Sequence, residues 1–138
     1  MKRSVILILA LVIMIGMLSA CAAETQSNTG YTIITQEEAK AMMSKDDDHV
    51  IVDVRRQDEY DSGHIPGAIL IPNESITDTK PAELPDLDQI ILIYCRSGNR
   101  SKQAVQKLAD MGYTNLYEFG GIIDWTGETV VSEHKYNE

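Results

Sequence analysis

The stretch Ile90-Ile91-Leu92-Ile93-Tyr94-Cys95-Arg96-Ser97-Gly98-Asn99-Arg100-Ser101 organises the chain. Its apolar run, Ile90 to Tyr94, reads as a strand buried on both faces of a parallel sheet. Behind it, Ala104, Val105, Leu108 and Met111 recur at helical spacing over Ser101 to Met111, and Gly112 supplies a stop signal. The order is strand, tight loop and helix, with a thiol at the mouth of the loop. Ser97, Gly98 and Asn99 leave the backbone free to turn successive N–H groups toward one point above the helix N-terminus, where an anion is held. The same dipoles, with the guanidinium groups of Arg96 and Arg100, favour thiolate over thiol. A lone Cys at a strand end is more often a small buried hydrophobe. The twice-basic, glycine-containing loop argues instead for a nucleophile.

The loop resembles the active-site loop of the rhodanese family of sulfurtransferases, and two further stretches match that family. One is Asp53-Val54-Arg55-Arg56-Gln57-Asp58-Glu59-Tyr60-Asp61-Ser62-Gly63-His64-Ile65-Pro66-Gly67-Ala68, the other Gly120-Gly121-Ile122-Ile123-Asp124-Trp125. Three blocks in the family's order and spacing cover most of the region from Tyr31 to about Val130. The resemblance implies a rhodanese-like α/β fold, a three-layer α/β/α sandwich around a five-stranded, mostly parallel sheet of order 3-2-4-5-1, with Cys95 at the end of the central strand. The general alternation of strands and helices points the same way.

The chemistry implied is double displacement. The Cys95 thiolate takes the outer sulfur of thiosulfate or a polysulfide as a persulfide, and a thiol or cyanide removes it. The substrate-binding loop is then Arg96, Ser97, Gly98, Asn99 and Arg100: its N–H groups stabilise the persulfide, and the side chains of Arg96 and Arg100 attract the anionic donor. Asp53 and an ion pair between Arg55 and Glu59 are expected to hold neighbouring loops. His64 belongs to a structural turn. No metal and no organic cofactor is needed.

Two alternatives compete with this assignment. A Cys-loop phosphatase or arsenate reductase has five residues between Cys and Arg and commonly a His before the Cys, whereas this chain has four, Arg96 to Asn99, and Tyr94. A non-catalytic sulfur carrier or protein-binding module of the same fold keeps the Cys, and turnover of thiosulfate with cyanide separates it from an enzyme.

Outside these blocks, Lys2 and Arg3 precede the apolar run Val5 to Leu18 and then Ser19-Ala20-Cys21. As a helix this run would span about 21 Å, short of a hydrocarbon core of about 30 Å, so residues 1–20 read as an export signal. Leu18-Ser19-Ala20-Cys21 resembles a bacterial lipobox, which would make Cys21 a lipidated N-terminus carrying palmitate-type acyl chains on the outer face of the cell membrane. Cys95 then has no partner for an intramolecular disulfide, since the chain has two cysteines. Residues 21–30 are small and polar, a flexible tether. Residues 31–131 form the domain and 132–138 a polar tail.

Within the domain, Tyr31 to Ile34 is a candidate strand, and Thr35 with Glu38 makes a capping box for a helix through about Ser44. Asp46-Asp47-Asp48 lacks the glycine and distal glutamate of a calcium loop and reads as a solvated turn. Val50 to Val54 is a β-branched strand, Gln57 to Asp61 a short helix, and Ala68 to Ile71 a strand. Asn73 to Gln89 is an irregular connection, Leu116 to Phe119 a last strand, and a short helix after Gly121 bears Trp125, read as a core or lid residue. Once Lys2 and Arg3 are removed, 10 basic residues face 21 acidic ones. That balance excludes a general basic surface for nucleic acid and leaves a lipid anchor as the route to a membrane. All four remaining arginines, Arg55, Arg56, Arg96 and Arg100, lie in the family-like blocks. One domain of this size, 43% hydrophobic, can bury its own core, and a monomer is expected.

Overall fold

The computed structural model describes residues 30–132. The signal segment, Cys21, nearly all of the tether and residues 133–138 of the tail lie outside the described residues. Among the described residues no helix is long and apolar enough to cross a membrane.

The elements run β1 (Thr32–Ile33), α1 (Gln36–Met43), β2 (Val50–Asp53), α2 (Gln57–Ser62), β3 (Ile69–Leu70), β4 (Ile91–Cys95), α3 (Asn99–Asp110) and β5 (Leu116–Gly121), with 3-10 turns at Asn73–Ser75 and Ile122–Asp124. The five strands form one sheet of order β1-β5-β4-β2-β3, and every pairing is parallel. This is the expected 3-2-4-5-1 order. The first strand is shorter than the sequence suggests: it is a two-residue edge in which Ile33 is 62% exposed.

β4 is buried at every position, as its unbroken apolar run requires. Strand geometry sends alternate side chains to opposite faces. Ile91, Ile93 and Cys95 therefore pack with Val52 and Val54 against Ala104, Val105 and Leu108 of α3. Leu92 and Tyr94 pack on the other face with Ile51, Phe119 and Ala39 of α1. Two cores thus share one sheet, and Cys95 belongs to the α3 side.

The helix ends follow local chemistry. Thr35 caps α1 in a capping box with Glu38, and α3 stops where Gly112 takes a left-handed φ of 98°. α3 begins two residues earlier than its apolar spacing indicates, because Gly98, at φ 97°, turns the chain directly into Asn99.

Asp53 and Arg55 form a buried ion pair at the end of β2. Arg55 Nε donates to both Asp53 carboxylate oxygens at 3.0 Å, and Nη2 donates to Oδ2 and to the Gly63 carbonyl, both at 2.7 Å. The expected Arg55–Glu59 pair is therefore not formed. Two residues of separation along an extended segment let the Arg55 fork fold back on Asp53, and Glu59 is left to another arginine. Removing one member of such a pair strands a buried charge, at a typical cost of about 3–5 kcal/mol. His64 stacks on Tyr60 with ring centroids 3.7 Å apart, and its backbone exchanges hydrogen bonds with Val130. It is built into the turn.

Candidate active site

Cys95 ends the central strand, and its sulfur lies under the turn formed by Arg96, Ser97 and Gly98. The residue is 1% exposed. The Gly98 N–H donates to Sγ at 3.0 Å. Burial opposes the thiolate, yet hydrogen bonding with the Ser101 hydroxyl and with the Ser101, Gly98 and Ser97 N–H groups outweighs it, so the Cys95 thiol lies below its ordinary pKa. That combination of a hidden sulfur and stabilised charge suits a nucleophile that meets its substrate at the loop surface.

Two glycines make the turn possible. Gly98 supplies the left-handed backbone. At Gly121 a Cβ would stand 2.2 Å from the Arg96 carbonyl oxygen, so β5 can approach the loop only without a side chain there. The β4–β5 register slips by one residue between Ile93 and Cys95, a bulge of the kind that re-aims strands beside active sites.

The two loop arginines do different things. Arg100 donates from Nη1 and Nη2 to the two oxygens of Glu59, at 2.7 and 2.8 Å. This is a bidentate tie between the N-termini of α3 and α2, made by a guanidinium that also acts on the Cys95 sulfur through space. Arg96 is exposed and forms no ion pair among the described residues. It is the loop guanidinium open to an anion. Ser97 is exposed, Gly98 buried, and Asn99 the exposed first residue of α3. Asp53 and Arg55 stay together below the loops.

Two further residues stand at the site: Ser101, at the end of the quoted loop stretch, and Glu118, outside all three family-like blocks. Ser101 Oγ lies 3.4 Å from the Cys95 sulfur and donates to Glu118 Oε1 at 2.5 Å. Glu118 is 1% exposed. An acidic residue between Tyr117 and Phe119 gives little warning of this. The available signal was strand parity, because Glu118 shares the face of Leu116, which packs with Cys95.

A family model, the rhodanese-like domain, matches residues 35–128. The chain belongs to this family. It is 36% identical over 73 residues to the thiosulfate sulfurtransferase PspE of Escherichia coli, covering 53% of this chain and 70% of that protein. It is 35% identical over 92 residues to the adenylyltransferase and sulfurtransferase UBA4 of Meyerozyma guilliermondii, covering 61% of this chain and 22% of that much longer protein. Among solved structures, a rhodanese-like domain protein from Staphylococcus aureus superimposes with a TM-score of 0.64 at 31% identity, over 73% of this chain and 98% of that one.

The Glu59–Arg100 tie has a pH signature. Arg100 above all holds the Glu59 carboxyl down to about 2, below its ordinary value of 4.5, against partial burial and with help from Arg56. A carboxylate whose folded pKa is depressed stabilises the fold above its unfolded pKa and loses that contribution as pH falls through the folded one. Glu59→Gln is therefore expected to be less stable than the parent at neutral pH, with the difference fading between about pH 4.5 and about pH 2. Thermal unfolding across that window checks this, and a pH-independent difference contradicts it.

Proposed function

We propose that this rhodanese-like chain is a sulfurtransferase that moves a sulfane sulfur from thiosulfate or a polysulfide to a thiol or cyanide through a persulfide on Cys95. The observation that carries it is the Cys95 sulfur receiving the Gly98 N–H at 3.0 Å at the head of α3. The name of the PspE relative, a thiosulfate sulfurtransferase, supports the choice of donor.

In the first half-reaction the Cys95 thiolate attacks the outer sulfur of thiosulfate. The S–S bond of the donor breaks, and sulfite leaves with the bonding pair. The N–H groups of Ser97 and Gly98 face the sulfur and offset its negative charge, while Arg96 draws the donor to an otherwise acidic protein. In the second half-reaction a thiolate or cyanide attacks the outer persulfide sulfur, and Cys95 departs as the thiolate that began the cycle. The expected outcome is repeated thiosulfate-to-cyanide turnover that Cys95→Ser abolishes without loss of thermal stability. Turnover that survives Cys95→Ser overturns the assignment, and a single loading without turnover makes the chain a sulfur carrier.

The same proposal places the domain outside the cell membrane, held by acyl chains on Cys21. It rests on Leu18-Ser19-Ala20-Cys21 following a 14-residue apolar run, Val5 to Leu18. Cys21→Ser is expected to move the protein out of the detergent phase in phase partitioning; undiminished retention there contradicts the anchor.

A further inference from the structure

Sulfur transfer through Cys95 leaves Glu118 unexplained. It is a carboxylic acid at 1% exposure in the sheet, and no Lys or Arg pairs with it among the described residues. Its Oε1 accepts from Ser101 Oγ at 2.5 Å and from the Gly120 N–H at 2.9 Å. A buried carboxylate without a cation is costly, and a purely structural acceptor there would not need a charge.

Ser101 has one hydroxyl proton and four acceptors within reach: Glu118 Oε1 at 2.5 Å, the Gly98 carbonyl at 3.1 Å, the Cys95 sulfur at 3.4 Å and the Gly120 carbonyl at 3.5 Å. When Glu118 is ionised, its oxygen is the nearest acceptor, with the Gly98 carbonyl farther away at 3.1 Å. The Ser101 oxygen then faces the sulfur with a lone pair and receives the thiol proton across 3.4 Å. When Glu118 is protonated it donates to Ser101 Oγ, which frees the Ser101 proton to turn to the sulfur and stabilise a thiolate. Carboxylate and thiolate thus exclude one another through a single hydroxyl.

We propose that Cys95 and Glu118 share one proton through Ser101, so that Glu118 takes up the thiol proton as Cys95 becomes the attacking thiolate. The Cys95 S–H bond breaks as a Ser101 O–H bond forms, and the original Ser101 O–H bond breaks as a Glu118 O–H bond forms. Negative charge passes from carboxylate to sulfur with no net change, and no further reactant is consumed. Glu118 is a positioning residue for the proton, one element removed from the reacting sulfur. The other charged groups near the pair are Arg100 on α3, fixed on Glu59 and acting on the sulfur through space, and Lys102 and Asp124, which line the cleft that Glu118 borders.

The inference rests on Cys95 being the nucleophile of the proposed function, but its test uses no sulfur donor, so the two fail separately. The full chain is alkylated with iodoacetamide across a pH series, and modification is followed on the Cys95 peptide by mass spectrometry. Glu118→Gln keeps the shape and can donate to Ser101, as the protonated acid would, but it cannot take a proton. The expected result is a reactivity midpoint lower by about one pH unit, or about tenfold faster alkylation below the midpoint. Made together with Ser101→Ala, the same substitution should shift the midpoint by less than half as much, because the hydroxyl carries the coupling. An unmoved or raised midpoint overturns the proposal, as does a shift that Ser101→Ala leaves undiminished. Should Glu118→Gln fail to fold, the parent profile decides: a shared proton gives a curve broader than one ionisation that Ser101→Ala sharpens, and a simple one-proton parent curve overturns the idea.

Discussion

A buried sulfur can carry negative charge only if the backbone around it supplies what water would have supplied. Cys95 is 1% exposed, so the thiolate depends on N–H groups aimed at it from the turn above and on the start of α3. Much of the surrounding architecture serves that requirement. Gly98 bends the chain so that its own N–H reaches the sulfur. Gly121 lets β5 close against the Arg96 backbone, and Ile123 donates its N–H to the same carbonyl at 3.1 Å. The Glu59–Arg100 tie then fixes the head of α3 against α2.

The charges of the molecule divide between support and reception. Arg55 is consumed by Asp53 inside the protein, and Arg100 by Glu59 at its edge. Arg96 remains facing outward beside the thiol loop. In a chain whose formal net charge is −9, an exposed guanidinium without an ion-pair partner is a local feature that favours an approaching anion. Assigning one guanidinium to reception and another to structure predicts that the two positions differ in kind, although the sequence presents them as a matched pair around the loop.

The elements of the fold were legible because each is written locally, and the strand order was implied by the resemblance of three blocks to the rhodanese family. An unbroken apolar run gave β4, apolar spacing gave α3, and Thr35 with Glu38 gave the start of α1. The position of the candidate nucleophile was equally plain, since the strand–Gly loop–helix order leaves Cys95 where loop N–H groups converge. Side-chain pairing was not legible. Arg55 and Glu59 stand close together in the sequence and were expected to pair. In the fold, Arg55 precedes α2 and turns back to β2, while Glu59 looks across to α3. Ser101 and Glu118 were missed for the same reason: they stand 17 residues apart, and only the parallel packing of β5 beside β4 brings them to one face with Cys95.

The central claim is that Cys95 is poised to accept a sulfur atom, and intact mass spectrometry of the reduced protein after incubation with thiosulfate tests it most directly. The account predicts a gain of the mass of one sulfur atom, located on Cys95 and removed again by cyanide. A protein that keeps its fold and takes up no sulfur, or that carries the added mass at another residue, would contradict it.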